Sequence, residues 1–199
     1  RPDLYDLTAG EVDDGRRYRA YLADGPTPTL FDTGPDEDAE MLLEAIDAAG
    51  ITPDRVVITH ADYDHTGGLE AVIDAHDPDV WASEQSDLGD VDPDRRYGDG
   101  DSIGGFEAVY LPGHKPDSYA FVDEDRGVVV SGDVVNGSDQ RGLPAGYPVL
   151  PPAVYSTDLI ALERNLERLL EYSFDAILVY HGSSILDDAK ARLEAFVNF

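Results

Sequence analysis

Positions 60 to 65 hold two histidines and two aspartates, in the stretch ITHADYDHTGG, and the paired glycines Gly67 and Gly68 follow at once. Imidazoles and carboxylates crowded this closely need a cation between them, because buried anionic donors facing one another lose solvation and repel. A metal therefore fits the spacing of His60, Asp62, Asp64 and His65 better than a lone acid–base pair. Two more histidines stand at similar junctions, His114 in LPGHKPDS and His181 in LVYHG, and Asp133 in VVSGDVV completes the set. The chain has no cysteine, so any ion is held by nitrogen and oxygen, and disulfides and thiolate chemistry are excluded.

Rigid elements must hold these side chains. RVVITH reads as a short buried strand running out into the cluster, and His60, Asp62 and Asp64, at alternate positions, are expected to share one face at its end. Gly67 and Gly68 let the next helix, marked by Leu69, Val72, Ile73 and His76, approach closely. Upstream, RRYRAYLAD (16–24) and PTLFDTG (28–34) read as strands around a Gly-Pro turn. An acidic start then opens a helix through Leu42, Ile46 and Ala49 that Gly50 ends. DVWAS, SIGGFEAVYLPG, SYAFVDED and RGVVVSGD each read as one strand, the last two forming a hairpin turned at 124–127. Leu159, Leu162, Leu166 and Leu169 mark one helix face, DAILVYHG a strand, and Leu186, Leu193, Phe196 and Val197 a final helix. Segment 136–155 is long and rich in Gly and Pro, and loops of that length are uncommon unless functional.

Taken in order, these motifs resemble the metallo-β-lactamase superfamily over almost the whole chain. In that family HxHxDH is followed by a distant GH, a GD and a last histidine, each at a strand end; here the run reads HxDxDH, Gly113-His114, Gly132-Asp133 and His181. The resemblance implies an α/β fold, an αββα four-layer sandwich of two mixed β-sheets flanked by helices, with residues 1–199 as a single domain. It also implies two divalent metal ions, zinc first, with iron or manganese as alternatives. His60 and His114 would hold the first ion, Asp64, His65 and His181 the second, and Asp133 would bridge them. FDTG (31–34) resembles the family's early DTG and places Asp32 behind the ligands. Asp62 stands where the family has its second histidine. As a ligand it makes the site neutral, since two divalent ions balance three carboxylates and a bridging hydroxide. Its oxygen also shifts preference from zinc towards iron or manganese.

The chemistry implied is attack of a metal-bound hydroxide on a small acyl substrate, a thioester, lactone or β-lactam, with Asp64 or Asp133 orienting the nucleophile and moving its proton. The short stretch after His181 argues against a hydroxyacylglutathione substrate, because glyoxalase II proteins carry a helical glutathione-binding extension there. Leu143, Tyr147, Val149, Leu150 and Tyr155 of the long loop are expected to roof an apolar pocket over the metals, with Tyr147 and Tyr155 as substrate contacts. The alternatives are a non-heme diiron or mononuclear iron oxidoreductase on the same scaffold, and a non-catalytic metal-binding protein.

Composition sets the surroundings. Forty-two Asp plus Glu against 14 Lys plus Arg give a formal net charge of -28, which excludes a basic nucleic-acid footprint and repels anionic membranes. The acidic residues are spread among apolar segments, and with 12 Arg and 2 Lys the bias resembles proteins of salt-loving archaea. High salt screens such self-repulsion. No segment reads as a membrane span or signal peptide, so a cytoplasmic protein with a small-molecule substrate is expected, of oligomeric state that the sequence does not specify.

Overall fold

A strand of three residues suffices where every side chain is buried, and the strands at 29–31, 128–130 and 176–178 are built that way. The computed structural model describes residues 3–11 and 17–198, and the chain divides into two compact units, Arg1–Tyr97 and Gly98–Phe199. In the first unit β1 (Leu4–Glu11), β2 (Arg17–Ala23), β3 (Thr29–Phe31), β4 (Arg55–Val57), β5 (Asp79–Ser83) and β6 (Arg95–Tyr97) lie side by side in that order. The first three pair antiparallel and β3 to β6 pair parallel. Parallel pairing demands crossovers. These are supplied by α1 (Ala39–Ala49) between β3 and β4, by α2 (Tyr63–Thr66) with α3 (Leu69–His76) between β4 and β5, and by the segment 84–94 between β5 and β6. Leu42 and Ile46 of α1 and Leu69 and Val72 of α3 bury their apolar faces with Leu22, Leu30, Val56 and Val80 of the sheet. Each such side chain contributes about 1.5–3 kcal/mol. Phe31 lies beside Val57, so the carboxyl ends of β3 and β4 open on one edge, where ligands gather in parallel sheets.

Gly68 shows how tightly α3 is drawn to that edge. A Cβ there would collide with the Thr33 carbonyl oxygen, and one at Gly67 with the Asp36 backbone nitrogen. Gly68→Ala is therefore expected to cost about 1–3 kcal/mol of stability, read as a lowered urea midpoint. An unchanged midpoint would show that this approach is not needed.

In the second unit β7 (Ser102–Ile103), β8 (Phe106–Tyr110), β9 (Tyr119–Asp123) and β10 (Val128–Val130) are followed by the small ribbon of β11 (Asn136–Gly137) and β12 (Pro148–Val149), then by α4 (Leu159–Asn165), β13 (Ala176–Leu178) and α5 (Ala189–Val197). The main sheet has the order β13-β10-β9-β8-β7. Since β8 and β10 both run antiparallel to β9, and β13 runs parallel to β10, the chain leaves β8, β10 and β13 at one edge. Leu162, Leu166, Leu169 and Leu193 cover this sheet through Val109, Val129 and Ile177.

Several expectations hold: Gly50 ends α1 in the left-handed region (φ 70°), DVWAS is β5, and β9 and β10 form the hairpin turned at 124–127. Others change. SIGGFEAVYLPG is two strands, because Gly104 and Gly105 both take positive φ (60° and 94°) and turn the chain back. Leu186 lies before α5 and is exposed, since Asp188 adopts a left-handed conformation (φ 53°) and the helix starts after it. The leucine helix continues as a tighter 3-10 stretch, Leu166–Glu171. Strand β1, absent from the sequence reading, pairs with β2 through a bulge between Thr8 and Gly10 that breaks its alternation. Arg16, the first residue of the strand expected at 16–24, lies outside the described residues. Among the described residues no helix is long and apolar enough to cross a membrane.

Candidate metal centre

In the first unit the ligand candidates follow β4. The chain leaves the strand after Val57, and Asp62 sits extended (φ -74°, ψ 148°) as the residue before α2, so Asp64 and His65 lie on a helical turn. Strand alternation is thus not what groups them; the tight turn after residue 60 is. The Nε2 of buried His60 lies 3.7 Å from the Asp62 Oδ2, and the rings of His60 and His65 are 4.0 Å apart.

Asp32 organises this set from behind. It is 2% exposed and held at φ 60°, a region costly to non-glycine residues, at the end of β3. Its Oδ1 accepts the Thr59 backbone N–H at 2.8 Å, and its Oδ2 accepts the Thr59 hydroxyl at 2.9 Å and faces the His65 Nδ1 at 2.9 Å. Because the Thr59 hydroxyl proton goes to Asp32, its oxygen accepts from the His60 Nδ1, 3.1 Å away. Both imidazoles therefore carry their proton on Nδ1 and present Nε2 as a donor atom, the arrangement that a metal ligand needs. Thr33 ties the DTG turn to the helix, its N–H and hydroxyl both donating to the His65 carbonyl. Thr59 was not singled out in the sequence; a hydroxyl next to the candidate His60 is the signal that marks it.

In the second unit three turns at one sheet edge carry His114 after β8, Asp133 after β10 and His181 after β13. Ser131 shapes the middle turn, its hydroxyl donating to the Val135 carbonyl at 3.0 Å and its N–H to the Leu178 carbonyl at 2.9 Å. The last turn is pinned by Gly137 N–H to the His181 carbonyl (2.8 Å), and by Asp139, which accepts the Ser183 N–H at 2.8 Å and its hydroxyl at 2.7 Å. The Asp133 Oδ2 lies 3.6 Å from the His114 Nε2 and 3.3 Å from the His181 Nε2. Two donors each about 2.0–2.2 Å from one tetrahedral ion stand about 3.3–3.6 Å apart. These separations exceed a normal hydrogen bond and match paired ligands, so the residues present fit a metal.

The long loop divides. Leu143, Tyr147 and Val149 face Arg192 and Phe196 of α5 across a cavity of 490 Å³, and Arg192 stacks on Tyr147 at 5.1 Å. The lining of that cavity includes none of His114, Asp133 and His181, and Leu150 packs on the core, so this part of the loop does not form the roof expected over the ligands. Both ends of the loop reach them: Gly137 at its start donates to the His181 carbonyl, and Tyr155 at its end, 64% exposed, adjoins Ser156, whose hydroxyl lies 3.1 Å from the His114 Nδ1.

Known proteins extend these observations. The chain is 27% identical over 188 residues to the hydroxyacylglutathione hydrolase GloC of Haemophilus influenzae, covering 82% of this chain and 85% of that protein. Several other curated relatives are matched over only about half of their own length. The crystal structure of TTHA1623 in a di-iron-bound form superposes with a TM-score of 0.75 at 26% identity, covering 96% of this chain and 99% of that one. The rubredoxin oxygen:oxidoreductase of Desulfovibrio gigas superposes at 0.71 and 21% identity, over 100% of this chain and 60% of that one, which speaks for the fold alone. The α/β sandwich class expected from the motifs, mixed sheets flanked by helices, is the fold of these neighbours. The family model for the metallo-β-lactamase superfamily matches residues 16–87 and 82–181, and the chain belongs to that superfamily.

Proposed function

We propose that the chain is a metal-dependent hydrolase of small acyl substrates, residues 1–199 acting as one domain that binds two divalent ions. In this reading the motif order would assign His60, Asp62 and His114 to one ion, Asp64, His65 and His181 to the other, and Asp133 to both. The observation that carries the reading is the Asp133 Oδ2 standing 3.6 and 3.3 Å from two imidazole nitrogens. Divalent ions held there supply activation of water near neutral pH, with a pKa of about 7, and polarise the acyl carbonyl. Asp133 or Asp64 takes the proton of the attacking water and returns it to the departing thiolate or alkoxide, so that water adds across the acyl bond. Tyr155 borders the substrate beside His114, whereas Tyr147 lines the separate cavity against α5 and has no part in this reading.

The named activity of the Haemophilus relative puts acyl thioesters first among substrates. The net charge of -28 disfavours bulky anionic ones and fits a salt-rich cytoplasm. A second reading, iron-dependent oxidoreduction, is favoured by the carboxylate at Asp62 and by the di-iron form of a neighbour. Protein expressed in high salt decides between them by metal analysis with thioester, lactone and β-lactam panels. About two ions per chain with hydrolysis is the expected outcome. Iron with oxygen consumption and no hydrolysis would select the second reading, and no bound metal would reject both.

A further inference from the structure

The segment Ser156, Thr157 and Asp158 clasps the turn that carries His114. Thr157 donates its N–H to the Gly113 and His114 carbonyls (3.1 and 2.9 Å) and its hydroxyl to the same pair, and the Asp158 N–H donates to the Gly113 carbonyl at 2.8 Å. Gly113 (φ 142°) allows this closeness, since a Cβ there would meet the Leu162 nitrogen at 2.6 Å and the Asp158 carbonyl oxygen at 2.7 Å. Within the clasp the Ser156 hydroxyl has one proton, and it donates that proton to the Pro152 carbonyl at 3.0 Å. Its oxygen is left to accept, and the His114 Nδ1 lies 3.1 Å from it. We propose that Ser156 is a positioning residue that locks His114 in the Nδ1–H tautomer and aims its Nε2 towards Asp133. The proposal rests on the reading of His114 as a metal ligand for its use, and on the hydrogen bonds alone for the tautomer.

The same device occurs at His60, where Thr59 passes its proton to Asp32 and accepts from Nδ1. The difference is the anchor. The Thr59 proton ends on a buried carboxylate, whereas the Ser156 proton ends on a carbonyl of the long loop, so the aim of His114 depends on where the loop's end lies.

Long-range 1H–15N correlation of the metal-free protein, well above the ordinary histidine pKa of about 6.5, reads the tautomer directly. The wild type is expected to show a protonated Nδ1 on His114; an Nε2–H form there would overturn the proposal without any variant. Ser156→Ala should mix the tautomers and weaken zinc binding about 10-fold, with Ser156→Thr restoring both. An unmoved tautomer and zinc Kd in Ser156→Ala, with circular dichroism and unfolding midpoint equal to wild type, would also reject it. A wild type that takes up no metal would end the metal-centre reading, while the tautomer would still decide the role of Ser156.

Discussion

Asp133→Asn is expected to leave the fold intact, reduce bound metal to less than about one ion per chain, and lower kcat/KM by about 10³-fold on whichever acyl substrate the wild type cleaves. Asp133 offers the anionic oxygen that both His114 and His181 face, at 3.6 and 3.3 Å. An amide of equal size keeps the packing but removes the charge that balances a cation. It also removes the group proposed to move the proton of the attacking water. Elemental analysis and a thioester assay on the same preparation read both effects. Full metal content with an unaltered rate would remove Asp133 from the centre altogether.

Asp32 should show a second large effect by a different route. Three contacts each bring it a donor: the Thr59 N–H at Oδ1, and the Thr59 hydroxyl and His65 Nδ1 at Oδ2. In Asp32→Asn the amide nitrogen must face at least one of these donors whichever way it turns. A loss of about 1–3 kcal/mol in stability and about 10- to 100-fold in metal affinity is expected. Asp32→Gly separates the two contributions. Glycine relieves the left-handed backbone at φ 60°, worth about 1–2 kcal/mol, so stability should partly recover while metal affinity stays low. Denaturant midpoints and zinc titration measure the pair. Equal metal affinity in wild type and both variants would show that Asp32 supports only the turn.

The sequence by itself determined the residue types available for chemistry, and the elements whose signals are local. Helix α1 could be read because its period and its terminating Gly50 act within a few residues, and the β9–β10 hairpin because its turn residues adjoin its strands. The ordered histidines and aspartates named the superfamily for the same reason, since each motif is contiguous. Tertiary structure decided the rest. Strand β1 gains its definition from pairing with β2 across a bulge that no alternation reveals. Leu143 and Tyr147 are apolar in any reading, but only packing against α5 decides that they line a cavity there. Asp32 lies 33 residues from His65, and Ser156 lies 42 from His114, yet they meet at 2.9 and 3.1 Å. Composition and period carry no record of such partners, because a hydrogen bond depends on a few tenths of an ångström set by how strands, turns and glycine contacts bring distant backbone together. The donor atoms were therefore written in the sequence, and the tautomers of His60 and His65 were fixed only by the fold.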